Sequence, residues 1–261
     1  MKFQVLGCSG SGLPGYALTS FRINDSVLLD AGAVTSHLPL EEQAQITDVL
    51  VTHAHLDHIK DILFLADNLI ELVVRDEHGP VRVRGLEDVL NSIRTHLMND
   101  TIWPDFSILP DRKRPVIVYT PMRPGEEVEI GDLLATAFPV CHAKAAAGYV
   151  VREKGAESGF AFTGDTGPTD AWWKFLNGLE YRPGRLIIET SFPNEMEDLA
   201  LKSNHLTPRL LQKELAKLEF IPKIYISHMK SPFSSAIQEE LQTHLDGYNY
   251  HLLRDDEVFE F

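Results

Sequence analysis

His53-Ala54-His55-Leu56-Asp57-His58 sets three imidazoles and a carboxylate within six residues. Imidazole nitrogen and carboxylate oxygen are donors suited to zinc, iron and manganese. That many ligand-type side chains in so short a run seldom arise as an ordinary surface cluster. The apolar run Asp48 to Val51 leads straight into the segment through Thr52. A strand followed by a tight loop can aim His53 and His55 at one ion, with Asp57 and His58, a step later, reaching a second. Ile59 to Ile70 then has helical periodicity, with Ile59, Ile62, Leu63, Ala66, Leu69 and Ile70 on one face.

Six residues cannot close two coordination shells, so further ligands are expected at the ends of other strands. His142 follows Phe138-Pro139-Val140-Cys141. Asp165 follows Phe160-Ala161-Phe162-Thr163-Gly164, where its carboxylate can bridge two ions. His228 follows Ile224-Tyr225-Ile226-Ser227. Taken singly, each of these His residues reads as well as a satisfied interior side chain; together with the first cluster they make two similar sites sharing one carboxylate.

The remaining apolar runs supply strands at Phe3–Leu6, Phe21–Ile23, Val27–Leu29, Val116–Tyr119, Glu127–Ile130, Leu134–Val140, Gly148–Val151, Phe160–Thr163, Leu186–Glu189 and Ile224–Ser227. Helices are expected at Leu86–Met98, Thr169–Leu179, Thr207–Leu218 and Ser235–Leu245. Two β-rich halves, each followed by helices, predict an α/β fold of two sheets packed face to face with helices outside. With no repeat and no Pro/Gly-rich linker, one domain over residues 1–261 is expected.

The order Leu28-Leu29-Asp30-Ala31-Gly32, His-x-His-x-Asp-His, His142, Thr163-Gly164-Asp165 and Ser227-His228 resembles the metallo-β-lactamase superfamily across nearly the whole chain. The resemblance implies an αββα sandwich holding two metals. His53, His55 and His142 would take one ion, and Asp57, His58 and His228 the other. Asp165 would bridge them, and Asp30 would orient a metal-bound His.

Within the superfamily, several segments are similar to the class II cyclic-nucleotide phosphodiesterases. These are His53 to Ile59, His96 to Phe106, Phe138 to His142, Glu189-Thr190-Ser191-Phe192 and His228-Met229-Lys230. Asp61 departs from the Gly or Ser usual there, a change expected at the pocket edge. Read without the family, Trp103 and Phe106 are better placed as core and loop packing than as a base-stacking platform. His205 precedes Thr207, a plausible N-cap with Pro208 at the first helical position. In relatives a His in this motif lies by the leaving group and pairs with an acidic residue, here Glu189. The expected catalytic set is therefore His205, Glu189 and Asp57, the last also a ligand.

The chain carries 38 acidic against 24 basic side chains, a net charge of −14. Polyanion binding relies on clustered Lys and Arg. Arg82-Val83-Arg84 and Arg112-Lys113-Arg114 are too short to supply it and read as solvated turns. The expected partner is thus a small phosphodiester and not a nucleic acid. The function implied is hydrolysis of 3′,5′-cyclic nucleotides (cyclic AMP, cyclic GMP or both) to 5′-nucleotides by a hydroxide shared between two divalent ions, zinc ahead of iron or manganese. The alternatives are a tRNA 3′-end endonuclease-like hydrolase, which shares this core, and a non-hydrolytic metal-binding sensor.

Cys8 and Cys141, with apolar flanks, are expected to be buried thiols of a reducing compartment. Val5 to Cys8 only loosely imitates a lipoprotein box, and no stretch of 18 apolar residues offers a membrane span. A cytoplasmic location is expected. His96–Phe106 is a candidate homodimer contact.

Overall fold

The computed structural model describes residues 1–261. Its first sheet has the strand order Val258–Glu260, Lys2–Gly7, Ser20–Ile23, Val27–Leu29, Asp48–Leu50, Val81–Gly85, Ile117–Pro121. The second runs Tyr250–Leu252, Lys223–Ser227, Arg185–Glu189, Gly159–Phe162, Ala147–Glu153, Leu133–Pro139, Glu127–Ile130. Alternation along each strand decides what each face covers, because successive side chains point to opposite sides of a sheet. Leu50 enters the core between the sheets, whereas Val49 and Val51 meet the helices Leu56–Val74 and Glu87–His96 outside. In the same way Phe160, Phe162, Ile187 and Tyr225 fill the inter-sheet core. Ala161, Leu186, Ile188, Ile224 and Ile226 pack outward under the helices Ala171–Asn177, Pro208–Leu215 and Ser234–His244. Strands buried on both faces read as continuous apolar runs, and the result is the expected αββα sandwich.

Several details depart from the sequence reading. The first long helix starts at Leu56, not Ile59, so Asp57 and His58 lie in its first turn, where a carboxylate is favoured by the helix dipole. Arg82-Val83-Arg84 is not a turn but part of the strand Val81–Gly85, with Arg84 Nε 2.6 Å from Asp48 Oδ1. The chain's last strand, Val258–Glu260, returns to the first sheet beside Lys2–Gly7, so the halves are not fully sequential. The thiols are not both buried: Cys141 is exposed and Cys8 half-buried. Trp103 is half-buried, donating its indole N–H to Leu63 O at 3.1 Å, and Phe106 lies in the core. No helix is long and apolar enough to cross a membrane.

Parallel neighbours place the business end of the fold. Val27–Leu29, Asp48–Leu50, Val81–Gly85 and Ile117–Pro121 are parallel in one sheet. Gly159–Phe162, Arg185–Glu189 and Lys223–Ser227 are parallel in the other. Crevices outside the carboxyl ends of parallel strands are where open α/β sheets bind ligands. A bridge between His53 and Ala146 joins the two sheets at that edge.

Candidate metal centre

Asp30, Thr52–His53, Asp165, Glu189 and His228 all sit at or just beyond the carboxyl ends of those strands. One donor atom from each of His53, His55, His142 and Asp165 lies within 4.8 Å of the others, and so do donors from Asp57, His58 and His228. Asp165 joins the two groups. Its Oδ2 is 3.1 Å from His228 Nε2, 3.4 Å from His58 Nε2 and 3.8 Å from the Nε2 atoms of both His53 and His142. Asp57 Oδ2 is 3.8 Å from the Nε2 atoms of His58 and His228.

Each of these buried imidazoles is steered by a contact at Nδ1, which aims its Nε2 into the site. His58 Nδ1 donates to Asp30 Oδ2 at 2.7 Å. Asp30 is itself held by Thr52, whose N–H and Oγ1–H reach its two oxygens at 2.8 and 2.7 Å. His53 Nδ1 is 3.0 Å from Thr52 Oγ1, His228 Nδ1 is 2.8 Å from Thr19 Oγ1, and His142 Nδ1 is 2.9 Å from Asn204 O. Asn204 turns that carbonyl inward from a left-handed conformation, φ 53°, capping the helix Glu197–Ser203.

The buried polar atoms left without any hydrogen-bond partner include His53 Nε2, His58 Nε2, His228 Nε2 and Asp165 Oδ1. An orphaned buried donor or acceptor costs about 1–3 kcal/mol. Three of these are imidazole nitrogens converging on the Asp165 carboxylate, a pattern explained by a pocket built for cations, and the donor set fits divalent metal ions. The charges agree. Burial holds His53 well below the ordinary imidazole range, with His58 adding to it, and burial likewise lowers His55 and His142. All three are thus neutral donors at neutral pH. Burial opposes the charge on Asp165, but His228 and His58 outweigh it and hold the carboxyl well below the usual carboxylate range.

Beside the donors, Glu189 Oε1 accepts from His205 Nδ1 at 2.6 Å and from Thr166 N–H at 3.0 Å. Its Oε2 accepts from Ser191 Oγ, Ser191 N–H and Leu206 N–H. A carboxylate so fully bonded is fixed in place. Burial alone would lower His205, but Glu189 prevails and raises it above the ordinary imidazole value. The His205 ring lies 4.8 Å from that of His142. Thr207 caps the following helix through Oγ1, which accepts from Leu210 N–H. The Asp61 carboxylate accepts from Thr35 N–H at 2.7 Å and from Thr35 Oγ1–H at 3.0 Å, so the residue that departs from the family pattern holds the Thr35 loop.

Sequence reasoning missed Thr19, Thr52 and Asn204, and it missed Gly10. An added Cβ at Gly10 would stand 2.7 Å from His228 O and 2.9 Å from His228 Nε2. Only glycine lets this loop approach so closely. The one signal the sequence offers is the Gly-rich run Gly7 to Gly12.

Among solved structures, yeast PDE1 is similar with a TM-score of 0.82 at 17% identity, covering 98% of each chain. The metallo-β-lactamase fold protein YhfI of Bacillus subtilis has a TM-score of 0.76 at 14% identity, over 99% of this chain and 98% of that one. The fold is therefore the metallo-β-lactamase fold. In sequence, a 3′,5′-cyclic-nucleotide phosphodiesterase of Schizosaccharomyces pombe is 24% identical over 225 residues, 76% of this chain; the chain spans 61% of that relative's length. The model of the class-II cAMP phosphodiesterases matches residues 33–242, and the chain belongs to that family.

Proposed function

We propose that this chain is a phosphodiesterase hydrolysing 3′,5′-cyclic nucleotides to 5′-nucleotides with two divalent ions, zinc by preference for an imidazole-rich donor set. His53, His55 and His142 hold one ion, Asp57, His58 and His228 the other, and Asp165 serves both. The observation that carries the reading is the Glu189–His205 pair set beside a donor set with four orphaned atoms, in a chain of the class-II family.

Divalent ions so held supply a water of lowered pKa and neutralise charge on the phosphoryl oxygens. The residues do the rest. Asp57, 30% exposed in its side chain, faces solvent where it can take the proton of the attacking water. As water adds to phosphorus in line, the bond from phosphorus to the ribose 3′ oxygen breaks. His205 gives that oxygen a proton from Nε2, while Nδ1 stays bonded to Glu189.

The charge of −14 gives little counterion release on binding a polyanion. The zinc-loaded protein is therefore expected to turn over cyclic AMP or cyclic GMP with higher kcat/KM than precursor tRNA. The reverse order would select the tRNA 3′-end endonuclease reading, and no turnover of any phosphodiester would leave the sensor.

The close approach of Gly10 yields a second expectation. In Gly10→Ala the new methyl displaces the His228 ring, and metal content should fall toward one ion per chain with the circular dichroism unchanged. A full complement by elemental analysis would show that the loop yields instead of the imidazole.

A further inference from the structure

The turn after His228 brings one more charge to the pocket. Lys230 N–H bonds to Ser191 O, tying this turn to the Glu189–Phe192 segment. The Lys230 ammonium lies 5.3 Å from the centre of the Phe192 ring and donates to Gly10 O at 3.2 Å. Phe192 is buried and meets His205 with ring centres 5.7 Å apart, so Lys230, Phe192 and His205 form one wall.

Lys60, Lys154 and Lys217 are each paired with a carboxylate. Lys230 is held only by a carbonyl and a ring face. An ammonium has three donors, and Gly10 O takes one. Asp30 and Glu189 do not compete for the rest, being engaged by His, Thr, Ser and backbone donors. An unpaired, half-buried cation beside a proton donor suits an anion placed between them.

We propose that Lys230 is a substrate-binding residue whose Nζ donates to a non-bridging oxygen of the phosphodiester from the His205 side. The proposal rests on the phosphodiesterase reading but not on the cyclic nucleotide. Its test therefore uses inorganic phosphate as the probe, titrated calorimetrically into zinc-loaded wild type, Lys230→Gln and Lys230→Arg, with elemental analysis and thermal unfolding of each. Loss of a charge-assisted hydrogen bond should weaken phosphate binding roughly 10- to 100-fold in Lys230→Gln. Metal content and Tm should be unchanged, and Lys230→Arg should recover most of the affinity. Unchanged affinity in Lys230→Gln overturns the proposal, as does no measurable phosphate binding by wild type. Joint loss of phosphate and metal also overturns it, making Lys230 a tie for the Gly10–His228 contact. A drop in phosphate affinity in a protein that does not hydrolyse cyclic AMP would uphold Lys230 and reject the substrate.

Discussion

Asp165→Ala is expected to lose nearly all bound metal, more than either His142→Ala or His228→Ala. Each of those His residues belongs to one donor group, whereas Asp165 Oδ2 lies within 3.8 Å of the Nε2 atoms of His53, His58, His142 and His228. A carboxylate between two dications also screens their repulsion, which at about 4 Å and an effective dielectric of about 20 is roughly 16 kcal/mol for two double charges. Alanine removes that screening and a ligand from both sites together, so neither site is left intact for a single ion. His142→Ala should retain more, because Asp57, His58 and His228 still surround the other position. Elemental analysis of the three variants after identical zinc loading and dialysis checks this. Full metal content in Asp165→Ala would remove the bridging assignment.

The donor residues were legible in the sequence because each ligand type stands where an apolar run stops, as at Ser227-His228 and at Val51-Thr52-His53. A strand buried on both faces announces its own end. Apart from Asp30, which meets His58 Nδ1 as the resemblance implied, what holds those donors was not legible. Thr19 and His228 meet across 209 residues, His142 and Asn204 across 62, and no local pattern marks a hydroxyl or carbonyl that meets its imidazole only after both sheets have formed. The helix start at Leu56 was hidden for a different reason. Leu56 is 57% exposed and adds nothing to the apolar periodicity, so the pattern begins visibly only at Ile59. Val81–Gly85 is obscured by its charges: Arg82 and Arg84 alternate with Val81 and Val83, and two arginines around one valine read as a short basic run. Arg84 is in fact 11% exposed and paired with Asp48, a partner 36 residues away.

His205→Ala is expected to keep its metal and lose turnover according to the leaving group. His205 Nδ1 is committed to Glu189, and the two donor groups joined by Asp165 are complete without it, so elemental analysis should find both ions. A positioned general acid typically contributes about 10²- to 10⁴-fold, or roughly 3–5 kcal/mol of barrier. The loss should appear in full with a cyclic nucleotide, whose ribose alkoxide must be protonated as it departs. It should shrink with bis(p-nitrophenyl) phosphate, whose phenolate leaves unaided. Glu189→Gln should show a milder form of the same selectivity, since an amide still contacts the ring but no longer balances the imidazolium charge. Because Glu189 also accepts from Thr166, Ser191 and Leu206, thermal unfolding of that variant separates disturbed packing from lost proton transfer. Equal losses on both substrates in His205→Ala, with metal retained, would make His205 a binder of phosphate alone. Lost metal would make it a ligand, as its donor atom within 4.8 Å of those of Asp165 and His228 allows, and would displace His142 or His228 from the proposed set.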